Sequence, residues 1–358
     1  MESVSGGVAY GLKYQARCIA NVTVDSHNTT FLLGTLSPRD DNEVHLIQIS
    51  PFGTELTCEG LYSHPHEIWD LASCPFDRHV FSTVYASGGN YGAALWRMPE
   101  VSMQHNAPQI EQIASLDAHT HKIQCTLWWP SGRHDQLVSI DQETFYLWSL
   151  DSSTESAKVL SKESAGMVNY IYGGAWDPHD ISILSIACES SIQFWDLRSM
   201  KQINSIGHPQ VRDVDYNPNK QHIVVTAGED SQIRIWDLRM PHMPLKELTG
   251  HTHWTWRVQY NPAYDEFILS AGTDSTVNLW QTSPIQGGES RGLSPLESPM
   301  DPVDPLVRSY SDFEDSVYGI AWSSQEPWIF ASLSYDGRVV VESVPQNTLK
   351  EMKKAQKM

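Results

Sequence analysis

Two stretches of the 358-residue chain carry a histidine, a hydroxyl and a carboxylate in the same order: His208, Thr226 and Asp230, then His251, Ser270 and Asp274. That is the composition with which hydrolases activate a hydroxyl nucleophile through an imidazole oriented by a carboxylate. Each set continues to a tryptophan six positions beyond its Asp, Trp236 and Trp280. A catalytic constellation occurs once in a chain. One that recurs in register, with Trp at a fixed distance, is a structural unit, and a closed chain of such hydrogen bonds rigidifies what surrounds it. Three His-x-His pairs, His64/His66, His119/His121 and His251/His253, have the spacing of zinc ligands. No Asp, Glu or Cys stands at ligand spacing beside them, so no metal site is expected. There is no P-loop, and the glycines of Ser87–Gly92 sit between strands rather than at a helix start, so no nucleotide fingerprint is present. No catalytic residue and no cofactor is expected.

The elements that position these residues repeat. Gly207–Arg239 and Gly250–Trp280 share Gly-His at the start, Tyr-Asn-Pro in the middle, then an apolar run, Asp and Trp. Trp195, Trp236 and Trp280 are 41 and 44 positions apart, the period of WD repeats, each a four-stranded propeller blade. Weaker copies carry Gly173–Pro178 with Ser191–Arg198, Leu127–Pro130 with Phe145–Leu150, and Glu67–Pro75 with Ala93–Pro99. Val317–Ser324 with Trp328–Val344 and, faintest, Thr30–Ser37 with Glu43–Ser50 complete seven units. The expected fold is all-β, a single seven-bladed WD40 β-propeller over residues 1–348. Its blades fall near 11–63, 64–117, 118–164, 165–207, 208–250, 251–310 and 311–344. The last unit lacks a fourth strand, and residues 8–10 supply it, closing the ring and removing the open edges that invite pairing with other chains.

Residues 282–306 hold five Pro, four Ser and three Gly without apolar alternation and read as a flexible loop within a blade, with Ser-Pro pairs at Ser283, Ser294 and Ser298. Residues 349–358 read as a solvated basic tail. With 24 Lys and Arg against 43 Asp and Glu, the formal charge is −19, which argues against nucleic acid as a partner. No apolar run approaches membrane-spanning length, so no direct membrane insertion is expected. Cys18, Cys58, Cys74, Cys125 and Cys188 are odd in number and scattered, the usage of reduced thiols in a cytosolic protein.

The positions flanking the buried residue of each first strand are the candidates for recognition. Aligned units put Ile68, Ile123, Ile171, Val211, Thr255 and Val317 inside. Side chains alternate along a strand, so the residues just after them, Trp69, Gln124, Tyr172, Arg212, Trp256 and Tyr318, face the top of the ring. Those just before are Glu67, Lys122, Tyr170, Gln210, Trp254 and Ser316. Trp, Tyr and Arg dominate binding hot spots, and Glu67, Trp69, Tyr170, Tyr172, Arg212, Trp254, Trp256 and Tyr318 are the expected partner-binding residues. The alternative is that the large rings merely plug the channel.

The strings EIWDLASCP, GAALWRMPE, VRDVDYNPNKQ, HTHWTWRVQYN and EDSVYGIAWSSQEPWIFASLSYDGR, with YGLKYQAR near the start, resemble the EARP- and GARP-complex-interacting WD-repeat family from Ala9 to about Val344. The resemblance implies a scaffold, a monomer within a larger assembly, that associates with the endosome-associated recycling and Golgi-associated retrograde tethers built on Vps51, Vps52 and Vps53. It implies a cytoplasmic protein peripherally bound at the trans-Golgi network and endosomes, supporting endosomal recycling and retrograde traffic. A second reading comes from Trp195–Arg198 and Trp236–Arg239. Such WDxR endings resemble those of substrate receptors that dock on DDB1 of the cullin-4 ubiquitin ligase, with Arg198 and Arg239 as the contacts.

Overall fold

The computed structural model describes residues 7–24, 28–38, 41–50, 55–100, 107–130, 135–151, 156–166, 170–208, 210–282 and 305–355, with side chains to residue 350. Among the described residues, period-2 alternation, β-branched runs and turn residues give 28 strands and one helix. β1 (Val8–Gly11) precedes the first blade, which contains β2 (Ala16–Asn21), β3 (Thr30–Thr35), β4 (Asn42–Ile49) and β5 (Leu56–His64). The second contains β6 (Glu67–Ser73), β7 (Val80–Ser87), β8 (Asn90–Arg97) and β9 (Glu111–Ser115). The third contains β10 (Ile123–Trp128), β11 (Gln136–Asp141), β12 (Thr144–Asp151) and β13 (Ser156–Ser164), and the fourth β14 (Ile171–Trp176), β15 (Ile183–Cys188), β16 (Ser191–Asp196) and β17 (Lys201–Gly207). The fifth contains β18 (Val211–Tyr216), β19 (Ile223–Gly228), β20 (Gln232–Asp237) and β21 (Lys246–Thr249), and the sixth β22 (Thr255–Tyr260), β23 (Phe267–Gly272), β24 (Val277–Gln281) and β25 (Leu306–Tyr310). The seventh contains β26 (Val317–Trp322), β27 (Ile329–Ser334) and β28 (Arg338–Ser343), and β1 supplies its fourth strand.

Every sheet is four-stranded and antiparallel, and six of the seven are meanders of consecutive strands. β1 pairs with β28 from Val8↔Val341 to Gly11↔Arg338, so the ring is closed by N-terminal chain. The hydrophobic core is divided among the blade interfaces. One cluster joins Leu32, Val44 and Leu46 of the first blade to Ile68, Phe81 and Trp96 of the second. Another joins Val225 and Ile235 of the fifth to Tyr260, Ile268 and Trp280 of the sixth. Each fully buried Phe or Leu in such a cluster contributes roughly 2 kcal/mol of transfer free energy, so the ring is held by sheet-on-sheet contacts repeated around it.

The C-terminal end differs from the sequence expectation of a solvated tail. Residues Gln346–Ala355 form a helix, α1. Pro345 starts it with a preset backbone angle, its carbonyl accepting the Leu349 N–H at 3.0 Å. Val344 and Thr348 are buried, and Leu349 packs on the cluster of Val340 and Phe313. The first turn is thus anchored to the seventh blade. The low-complexity segment joins β24 to β25, between the third and fourth strands of its blade. Its three Ser-Pro pairs lie outside the described residues.

Candidate functional site

The seven innermost strands share one irregularity. In each, the register slips by one residue just after the buried position: between Ala16 and Cys18, Ile68 and Asp70, Ile123 and Cys125, Ile171 and Gly173, Val211 and Asp213, Thr255 and Arg257, and Val317 and Gly319. The unpaired extra residues are Arg17, Trp69, Gln124, Tyr172, Arg212, Trp256 and Tyr318. A β-bulge bends its strand and re-aims the side chain it frees. The six aligned buried residues are at most 1% exposed, whereas every bulge residue is partly exposed.

The re-aimed side chains converge. The Arg17 guanidinium lies 4.1 Å from the Tyr318 ring centre and 5.3 Å from those of Trp69 and Trp256. Arg212 lies over Tyr172 at 4.0 Å, Trp256 at 4.8 Å and Trp254 at 5.7 Å. Trp256 meets Tyr318 edge-on at 5.1 Å. Lys122 lies 4.2 Å over Trp69 and 5.0 Å over Tyr91. Cations over aromatic faces are worth ~0.5–2 kcal/mol each, so these contacts order an alternating aromatic and cationic plate. Arg212 is also paired with Glu229. Trp254, at 39%, remains the most exposed tryptophan. Of the eight expected residues, Trp69, Tyr172, Arg212, Trp254, Trp256 and Tyr318 are brought together. Glu67 is half-buried at the start of β6 and Tyr170 is exposed, both at the rim and outside this chain of contacts.

Beneath the plate a cavity of about 500 Å³ runs down the axis of the ring. Arg257 reaches Asp70 and Asp213 at 3.6 Å each. Asp213 also accepts the Val258 N–H and, deeper, Asp215 accepts that of Tyr260. Burial pushes Asp70 up to about 6, against the pull of Arg257, and Asp215 up to about 7.

The His–hydroxyl–Asp–Trp sets are closed networks in two blades. Trp280 Nε1 donates to Ser270 Oγ at 2.8 Å, Ser270 lies 2.7 Å from His251 Nε2, and His251 Nδ1 lies 3.0 Å from Asp274. An indole N–H only donates, so Ser270 accepts it and donates its own O–H to Nε2, leaving Nδ1–H for the carboxylate. Burial works against the Asp274 charge, but bonds from His251, the Thr252 N–H and the Thr276 hydroxyl hold its pKa at about 2. The third blade has the same chain, Trp148–Ser139–His119–Asp141, at 2.7, 2.5 and 2.8 Å. In the fifth blade Trp236 still donates to Thr226 at 3.0 Å, but Arg234 stands between the other two members, 3.2 Å from His208 and 2.6 Å from Asp230. The second blade keeps His64, Thr83 and Trp96, with the backbone of His66 in place of the carboxylate.

The His-x-His pairs each split. The first member joins its blade's network, while His66 stacks on Tyr85, His121 meets Glu143 at 3.5 Å and His253 bonds Thr273. Among the described residues no group of three or more His, Cys, Asp or Glu is placed to hold a metal, and no helix is long and apolar enough to cross a membrane. Arg198 and Arg239 are both exposed, each bonded through Nε to the Asp two positions earlier, at 3.0 and 2.9 Å.

Known proteins match this chain in sequence over nearly its whole length. The EIPR1 beta-propeller model fits residues 4–280, and the WD domain G-beta repeat fits residues 305–341. The chain belongs to the EIPR1 beta-propeller family. It is similar to the WD repeat-containing protein DWA2 of Arabidopsis thaliana, 58% identical over 96% of this chain and 98% of that one. The EARP and GARP complex-interacting protein 1 of Homo sapiens is 33% identical over 95% and 96%, and the EARP-interacting protein 1 of Caenorhabditis elegans 29% over 94% and 95%. Arg17 and the third-blade network are features of this chain that the repeat pattern in the sequence does not reveal. The signal for Arg17 was its place one residue after Ala16, in the blade with no Gly-His start.

Proposed function

We propose that this chain is a non-enzymatic scaffold that docks on the EARP and GARP tethering complexes through the plate at the mouth of the ring. In this role it supports endosomal recycling and traffic to the trans-Golgi network. It acts as a monomer within a larger assembly, in the cytoplasm and peripherally on those membranes, contacting subunits such as Vps51, Vps52 or Vps53. Two relatives covering nearly the whole chain are named for these complexes, the Homo sapiens protein for EARP and GARP and the Caenorhabditis elegans protein for EARP. The observation that carries the docking face is that six of the seven bulge residues, all aromatic or basic and all but Gln124, meet in one plate, with Trp254 standing out from it. The His–Ser–Asp networks support a scaffold rather than a hydrolase. Ser270 is fully buried and its oxygen already accepts an indole N–H, which is the wrong state for a nucleophile.

The test is capture of the tagged full chain from cells with immunoblotting for Vps51 and Vps53. Replacing Trp254 and Trp256 by Ala should lower capture at least tenfold, since hot-spot aromatics are worth ~2 kcal/mol or more each. Undiminished capture by a folded double variant would refute this face. The second reading, docking on DDB1, rests on the exposed and identically braced Arg198 and Arg239. Recovery of DDB1 and cullin-4, lost on replacing both arginines by Ala, would support it instead.

A further inference from the structure

Two cations stand side by side at the mouth. Among the described residues, neither Arg17 nor Lys122 has a carboxylate within ion-pair distance, although the chain holds 43 Asp and Glu against 24 Lys and Arg. The other mouth arginine, Arg212, is paired with Glu229, and Arg257 below is held by Asp70 and Asp213. Arg17 and Lys122 share the ring of Trp69, which keeps them together. Burial lowers the pKa of both, and the charge of Arg257 adds to this at Arg17, as that of Arg17 does at Lys122. The orphaned polar atoms of the plate are donors as well: Trp69 Nε1 and Arg212 Nε have no acceptor. An acidic protein that gathers uncompensated cations and unmatched donors at one aromatic surface is arranged for an anion from outside.

The cavity restricts where that anion sits. Asp70 and Asp213 lie one position below the bulges and Asp215 two further down, so negative charge is accepted at the mouth and repelled from the depth. Aromatic side chains surround the cations, as a polypeptide crossing the mouth needs on both sides. We propose that the mouth binds a partner polypeptide by an Asp or Glu side chain seated between Arg17 and Lys122 on the Trp69 ring, its flanking residues lying on Trp256 and Tyr318. This rests on the reading of the plate as the docking face.

The experiment selects a random dodecapeptide phage library on the full chain and on an Arg17→Gln/Lys122→Gln variant whose melting curve matches the parent. The expected result is peptides with Asp or Glu at one fixed position beside an apolar or aromatic residue, enriched on the parent alone. A synthetic selected peptide, amidated at its C-terminus, should bind at least tenfold more weakly when that acid becomes its amide or when the variant is used. Selection of no peptides, peptides without an acidic position, or dependence on a free C-terminal carboxylate would overturn the proposal. If acidic peptides are selected yet the variant still captures Vps51 and Vps53 undiminished, the mouth binds acids but the tether uses another face. If the tether is lost with Trp254 and Trp256 while no acidic position emerges, the docking face stands and the acid-binding proposal falls.

Discussion

Replacing Ser270 by Ala removes one oxygen and orphans two buried partners. Trp280 Nε1, in a fully buried indole, loses its acceptor at 2.8 Å, and His251 Nε2 loses its donor at 2.7 Å. A buried polar atom stripped of its partner costs about 1–3 kcal/mol, so Ser270→Ala should destabilise by roughly 2–5 kcal/mol, a large share of the ~5–15 kcal/mol that holds a domain together. Trp280→Phe removes the donor along with its bond, at roughly 1 kcal/mol for the bond, plus a packing defect of similar size where the indole was. In the double variant the orphaned N–H no longer exists, so the combined cost should fall short of the sum by about 1–2 kcal/mol. Equilibrium urea unfolding at pH 7, followed by far-UV circular dichroism so that loss of a tryptophan does not disturb the signal, measures all four corners of the cycle. Ser139→Ala in the third blade is the internal repeat, since Trp148 and His119 flank it at 2.7 and 2.5 Å. A single-variant cost under about 1 kcal/mol, or additivity within about 0.5 kcal/mol, would refute the claim that these networks brace the blades.

Acid should act through His64, whose burial pushes its pKa down to about 3 from the usual 6.5. The unfolded chain takes up this proton below pH 6.5 and the folded one does not, so the stabilisation is complete above 6.5 and is lost progressively toward pH 3. Between pH 6.5 and 5 that amounts to roughly 2 kcal/mol, and His64→Gln should remove it. Asp215 and Glu342, pushed up to about 7 by burial, oppose the trend, because the folded chain then holds protons that the unfolded one releases. The variant's stability should therefore hold or rise on going from pH 7 to 5; a parallel decline in both proteins would refute the assignment. A chain lacking residues 1–11 should expose the whole Arg338–Ser343 edge and self-associate in size-exclusion chromatography, and a stable monomer would show that β1 is dispensable.

The ring was readable from residues because its period is carried by bulky markers: Trp195, Trp236 and Trp280 recur whatever the loops do. Position within a blade was less readable. The third-blade network escaped because Asp141 follows Ser139 by two residues, while Asp274 follows Ser270 by four. The fifth blade matches the sixth in the order of its residues and in the hydroxyl-to-Asp and Asp-to-Trp spacings, yet Arg234, projecting from the neighbouring strand, reaches both His208 and Asp230. Alternation alone pointed Trp69, Tyr172, Arg212, Trp256 and Tyr318 at the mouth, but that a bulge frees them is a matter of pairing across strands, which no single strand records. The helix at Gln346 was hidden because lysines outnumber the anchors Thr348 and Leu349 that tie it down.

The pairing of Val8 with Val341 also sets a timetable. At ~5–20 residues per second, a ribosome needs roughly 20–70 s between making one partner and making the other. Throughout that interval Val8–Gly11 lacks its strand partner, and Tyr10 and Leu12 lack the seventh-blade half of the cluster they pack on, although His45 of the first blade, 3.0 Å from the Tyr10 hydroxyl, is made early. β1 precedes every other strand of the ring yet takes its place last, and the ring stays open until β28 has been made.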